Sequence, residues 1–327
     1  DPVASELGSE CKLYTPTSAP RMVASFLRSK PDIVGVGTSE AGDSVGLRLL
    51  HEARRKRNAT FSWIEGYSFL DKRFMGQTDN PLWAAPDLIF VASEVIAWEL
   101  KRLGYTGEII VSGHPFYDIC RTTHPPPSEE IVFLSERSDC ISGDLKLDDD
   151  YTLHGRGTSG WRTHIVIEEF LDATQDIGIP RRLQIHPKEA GFDYLAYEKE
   201  FDQISDLFTA TAESGIIQPR PPGHRPAHLL HLVRPCLAVG ITTNALTEFA
   251  LRGSPVLSIL PRNEEYVWND AIAVGAIPSV SHRKYIRPVI ERLLSSKPRT
   301  EVLDDLYPSG AVDKIIRRLD ECLLTSH

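Results

Sequence analysis

The sequence predicts an α/β protein with two doubly wound parallel-sheet domains. Three observations carry that prediction. Short apolar runs alternate with segments of helical periodicity along most of the chain. The alternation breaks at Thr122-Thr123-His124-Pro125-Pro126-Pro127 and then restarts, and consecutive prolines favour an extended, semi-rigid connection. The length of 327 residues suits two domains, at roughly 100–200 residues each.

In the first half, Pro31-Asp32-Ile33-Val34-Gly35-Val36-Gly37 reads as a buried strand, followed by a helix from Val45 to Arg57. Phe61–Ile64 and Pro86–Val91 are the next strands. A helix from about Ser93 to Leu103 ends at Gly104, and Glu108–Val111 runs into Ser112-Gly113-His114-Pro115. Strand–helix alternation of this kind implies parallel pairing and a sheet covered on both faces.

The second half repeats the rhythm. Strands are expected at Ile131–Leu134, Arg182–Ile185, Gly215–Ile217, Cys236–Gly240 and Pro255–Ile259. Helices are expected at His164–Asp176, at Thr243–Arg252 with Gly253 as its stop, at Val289–Leu294 and at Val312–Leu324. Residues 138–161 read as an irregular polar insertion. The domains are therefore placed at 1–123 and 128–327.

Composition narrows the function. With 41% hydrophobic and 25% charged residues the chain is neither disordered, nor collagenous, nor a coiled-coil rod. No apolar stretch reaches the ~18–20 residues of a membrane span. The opening DPVASELGSE has no basic or apolar signal region. The five cysteines, at 11, 120, 140, 236 and 322, form no CxxC pair, which fits a reducing cytoplasm. A net charge of −9 argues against a nucleic-acid partner. The basic run Arg54-Arg55-Lys56-Arg57 reads as a solvated helix end, with a phosphate or anionic-lipid contact as its functional alternative. His224, His228 and His231 lack an acidic or cysteine partner at ligand spacing, so no metal is assigned. HExxH is absent, which removes the usual metalloprotease reading.

Ligands of doubly wound sheets lie outside the carboxyl ends of the strands. Gly240-Ile241-Thr242-Thr243-Asn244-Ala245-Leu246-Thr247-Glu248 places small hydroxyl residues where a strand opens into a helix, a seat for a diphosphate. Glu248, one turn further, is positioned to accept from a ribose diol. His186 ends a strand and is kept extended by Pro187, so its imidazole is a phosphate or sugar contact. Arg137, after another strand, suits bidentate phosphate binding. In the first half, the Gly35–Ser44 loop contains Glu40 and Asp43, and Glu65 follows the next strand; Glu65 and then Asp43 are the expected general bases. His114 reads first as part of a turn.

Several of these segments resemble the GT-B superfamily. Ala85–Glu94, Leu103-Gly104-Tyr105 and Ile110–Asp118 are similar to the end of the N-domain in nonhydrolysing UDP-N-acetylglucosamine 2-epimerases and in CDP-glycerol glycerophosphotransferase-like and capsule enzymes. Ile185-His186-Pro187, Gly240–Glu248 and Leu251–Leu257 resemble that superfamily's nucleotide-diphosphate site. The resemblance spans roughly residues 30–290. It implies two Rossmann-like domains facing across a cleft, the first without a visible opening strand–helix unit, the last helix being a candidate to cross back. It matches Glu65 to a catalytic glutamate and His186 to a functional histidine of the epimerases, whereas Gly37-Thr38-Ser39 stands where they carry an Asp.

The expected function is a metal-independent, nucleotide-sugar-dependent glycosyltransferase of bacterial glycan or glycoconjugate assembly, with a UDP-linked donor favoured and an unidentified acceptor. A UDP-N-acetylglucosamine 2-epimerase or hydrolase, and a binding protein without catalysis, are the alternatives. No cofactor beyond the donor is expected.

Overall fold

Ile33–Gly37 (β1), Ala59–Ile64 (β2), Leu88–Val91 (β3) and Glu108–Val111 (β4) pair in parallel in the order β1-β2-β3-β4. Every residue of β3 is buried, as an inner strand with both faces covered requires. The computed structural model describes residues 31–38, 40–136, 151–157, 161–186, 195–206, 233–296 and 301–325. The chain divides into two compact units, Asp1–Ile119 with Asp304–His327, and Cys120–Leu303.

In the first unit, Val45–Arg55 (α1) buries Leu47, Leu50 and Ala53, the i, i+3, i+6 face of an amphipathic helix. It ends in a Schellman motif: the Asn58 N–H donates to the Ala53 carbonyl at 3.1 Å and the Arg57 N–H to the Arg54 carbonyl at 2.9 Å. Arg57 occupies the left-handed position of that motif, with φ +62°. Glu94–Arg102 (α2) starts at Ser93, whose hydroxyl accepts from the Ile96 N–H, and stops at Gly104, φ +90°. Pro115–Thr122 (α3) follows β4. The C-terminal helix Ala311–Thr325 (here α9) sets Ile315 and Leu319 against Leu88 and Phe90, with Phe61, Trp63 and Ile110 around them. The last helix thus completes the first unit's core. Arg318 fixes it further by a two-point pair with Glu108 of β4, at 2.9 and 2.7 Å.

Among the described residues the second unit holds six parallel strands: Pro127–Leu134 (β5), Arg181–Ile185 (β6), Gln203–Asp206 (β7), Arg234–Gly240 (β8), Val256–Ile259 (β9) and Ser279–Val280 (β10). Their order is β10-β9-β8-β5-β6-β7. The chain winds outward through β6 and β7, then returns to the other side of β5 and winds outward again. The reversal makes the crevice between β5 and β8 the topological switch point. Arg162–Thr174 (α4) is buried almost all round. Its Glu168 and Glu169 carboxylates accept from the Arg156 N–H at 2.6 Å and the Gly155 N–H at 3.0 Å, anchoring residues 151–157. Ala245–Leu251 (α5), Asp270–Ala273 (α6), Arg283–Ser295 (α7) and Glu301–Leu306 (α8) complete the helices.

The α/β class and parallel sheets are as expected. β7 and β10 were not foreseen: Gln-Ile-Ser-Asp and a two-residue edge strand have no apolar run to signal them. Helix α7 begins six residues before the expected Val289, because Pro288 lies inside it and reads in sequence as a helix boundary. The expected strand at 215–217, the histidines at 224, 228 and 231, and most of 138–161 lie outside the described residues.

Candidate functional site

At the end of β5 the chain turns at Ser135 and Glu136, and at the end of β8 it turns at Ile241 and Thr242. Glu136 bridges the two turns. Its carboxylate accepts from the Thr242 N–H at 2.7 Å and the Thr242 hydroxyl at 2.6 Å. It also accepts from Arg162 Nη1 at 3.0 Å. Arg162 lies within 3.4 Å of Glu265 and over the ring of Trp268. Burial opposes the charge on Arg162, but the flanking Glu136 and Glu265 carboxylates overcome it and hold the guanidinium above its usual range. Sequence reasoning missed both Glu136 and Arg162. Thr242 was expected to face a ligand; it is fully buried, with N–H and hydroxyl both committed to Glu136, so its role in the structure is to tie the switch point together.

The next two residues differ. The N–H groups of Thr243 and Asn244 donate to no acceptor among the described residues, and the exposed Asn244 side chain caps nothing. The Thr243 hydroxyl accepts from the Ala245 N–H at 3.3 Å. Asn269, fully buried, donates to the Thr243 carbonyl at 3.1 Å and to the Thr247 hydroxyl at 2.9 Å. A Cβ on Gly240 would meet Thr243 Cγ2 at 3.1 Å, so the glycine admits the close return of α5 onto β8. The turn after β8 is therefore fixed from below by Glu136 and from the side by Asn269, while two N–H donors meet no acceptor among the described residues.

Glu248 is not solvated: it is 7% exposed. Burial, then the Glu248 charge, push the Cys120 thiol up to about 12. Arg252, one turn on and fully buried, lies 3.6 Å from the same sulfur. His186 leaves β6 half-buried and donates its N–H to the Ser135 hydroxyl at 2.7 Å. The residues after β5 thus join His186 on one side to Thr242 on the other. Arg137, the next residue, lies outside the described residues.

In the first unit, buried Arg73 organises the loops beyond β1 and β2. It donates to the Thr38 hydroxyl at 3.1 Å and the Ser68 carbonyl at 3.0 Å, and pairs with Glu40 at 3.3 Å. In the β1–α1 loop a Cβ on Gly42 would meet the Gly76 carbonyl oxygen at 2.5 Å, so the space at this glycine serves chain packing. Asp43 is exposed just before α1, and Glu65 is exposed just after β2. His114 is buried. Its Nδ1 accepts from the Phe116 N–H at 3.1 Å, its ring stacks on Tyr117, and Trp63 packs edge-on against it. With Pro115 as the first helical residue, His114 caps α3.

No protein-family model matches the chain, and no curated protein matches it. Solved structures do share its fold. The S. aureus MnaA–UDP co-structure is 14% identical, with a TM-score of 0.52 over 96% of this chain and 81% of that one. A putative UDP-N-acetylglucosamine 2-epimerase from Listeria monocytogenes is 15% identical, TM-score 0.52, over 91% of this chain and 76% of its own. A UDP-GlcNAc 2-epimerase from Neisseria meningitidis, bound to UDP-GlcNAc, is 12% identical, TM-score 0.52, over 94% and 84%. At these identities the likeness is one of fold, an α/β fold built on parallel sheets.

Proposed function

We infer that the chain is a nucleotide-sugar-dependent glycosyltransferase of bacterial glycan or glycoconjugate assembly, taking a UDP-linked donor. The observation that carries this reading is the pair of open N–H groups at Thr243 and Asn244, beside the β5/β8 switch point. Fixed N–H donors at a switch point suit a diphosphate, whose charge is met without a metal. The UDP and UDP-GlcNAc in the titles of the similar structures support the choice of nucleotide. A second reading, epimerase or hydrolase, is favoured by the names of the Listeria and Neisseria proteins.

Calorimetry with UDP, CDP, GDP and dTDP tests the site, and UDP-GlcNAc incubated without acceptor separates the readings. UDP is expected to bind, and UDP-GlcNAc to persist without acceptor. Conversion without acceptor selects the second reading; no nucleotide binding removes both. Thr243→Asp should cut nucleoside diphosphate affinity at least ~10-fold, about 1.4 kcal/mol, because the new carboxylate faces the phosphate charge. Unchanged affinity in the folded variant would move the site elsewhere.

Glu248 is proposed to hold the ribose. Glu248→Ala should weaken nucleoside diphosphates and leave inorganic pyrophosphate binding as it was, since only the former carry a diol. Equal loss for both would show that Glu248 acts through packing of α5.

A further inference from the structure

We propose that the amino-terminal edge of the four-stranded sheet is a docking surface for an anionic lipid bilayer, made by Arg54, Arg55, Lys56, Arg57, Lys101 and Arg102 with Trp98. Helices that connect parallel strands run back against them, so α1 and α2 both end at this edge. Successive right-handed crossovers in one direction put both helices on one face. The strands they lead into, β2 and β4, belong to the same four-stranded sheet, so both basic ends lie along one edge of it. All six cations are exposed. Arg55 and Arg102 pair with Glu52 and Glu99, whereas Arg54, Lys56, Arg57 and Lys101 form no ion pair among the described residues. Trp98 is 60% exposed, and it precedes Lys101 and Arg102 by the i+3 and i+4 spacings that share a helix face.

Two features distinguish this edge from an ordinary solvated helix end. The chain carries a net charge of −9, so a cluster of cations runs against its overall balance. And Arg57 stands at φ +62°, the Schellman position that glycine fills without strain. A cation kept where the backbone favours glycine points to a use for the charge. An exposed indole beside lysine and arginine matches the headgroup layer of a membrane, where amphipathic rings settle and basic side chains meet anionic lipid. The edge lies at the end of the sheet opposite the strand carboxyl ends that carry Glu65 and His114, so docking leaves those residues uncovered.

The test uses the full chain and vesicles of phosphatidylcholine alone or with phosphatidylglycerol. Binding is expected to the mixed vesicles and not to phosphatidylcholine, and to be released as salt rises from about 50 to about 500 mM. Arg57→Gly should lower vesicle affinity roughly 3–5-fold while raising or preserving the unfolding midpoint. Combined Arg54→Gln, Lys56→Gln and Arg57→Gly should lower vesicle affinity at least ~10-fold, and Trp98→Ser should weaken it independently. UDP affinity should be the same in every variant, so failure here and failure of the nucleotide reading are distinguishable. No binding to mixed vesicles, or equal binding to both kinds, overturns the proposal. So does a fall in the unfolding midpoint with Arg57→Gly, which would make Arg57 structural. Tighter binding to duplex DNA or heparin, lost in the same variants, would assign the edge to a polyanion instead.

Discussion

Glu136→Ala should destabilise the second unit by about 3–5 kcal/mol, the cost of stripping the partner from a buried ion pair. The loss falls on three donors at once. Among the described residues Arg162, 4% exposed, keeps the Glu265 carboxylate at 3.4 Å and the Trp268 ring, and the buried Thr242 N–H and hydroxyl lose their acceptor. Urea unfolding measures the change. Glu136→Gln should cost less, because the amide oxygen can still accept from Thr242 while Arg162 loses its charge partner. Glu136→Leu with Arg162→Met should cost less than the sum of the singles, since removing both charges leaves none uncompensated. A loss below about 1 kcal/mol for Glu136→Ala would show that the network is solvated. Because Thr242 precedes the open N–H groups, UDP affinity should fall with stability in Glu136→Ala and recover partly in Glu136→Gln.

This carboxylate also shows what the sequence could not say. Glu136 and Thr242 are 106 positions apart, and Glu136 and Arg162 are 26 apart. No periodicity or local spacing encodes either contact. In Leu134-Ser135-Glu136-Arg137 attention falls on the arginine, because a phosphate site calls for a cation. The fold instead turns the neighbouring acid inward, where its charge is met by Arg162 and two Thr242 donors. Arg73 was hidden for a similar reason: it lies among the turns between β2 and β3 and acts on Thr38 and Glu40 across more than thirty residues of chain. What was legible depends on neighbours in sequence. The strand–glycine–threonine entry into α5 and the glycine stop of α2 are each set by local backbone chemistry, whereas the helix that starts at Pro115 was not foreseen.

Glu65→Gln should lower turnover by ~10²–10⁴-fold, the usual contribution of a positioned general base, with the KM for donor nearly unchanged. Activating an acceptor hydroxyl needs a carboxylate or imidazole that the hydroxyl can reach. In the first unit His114 is occupied, its Nδ1 accepting from Phe116 and its ring packed between Trp63 and Tyr117. Glu40 is paired with Arg73. Glu65 is exposed at the carboxyl end of β2, two residues beyond Trp63, whose ring is held in place by His114. Asp43, exposed in the turn before α1, is the second candidate. Steady-state kinetics of Glu65→Gln and Asp43→Asn rank them: a large fall in kcat for Glu65→Gln alone assigns the base, and the reverse pattern transfers the role to Asp43. If both variants keep kcat within about threefold, neither carboxylate takes the proton. That result would favour a retaining transferase, in which the leaving phosphate of the donor takes the acceptor's proton.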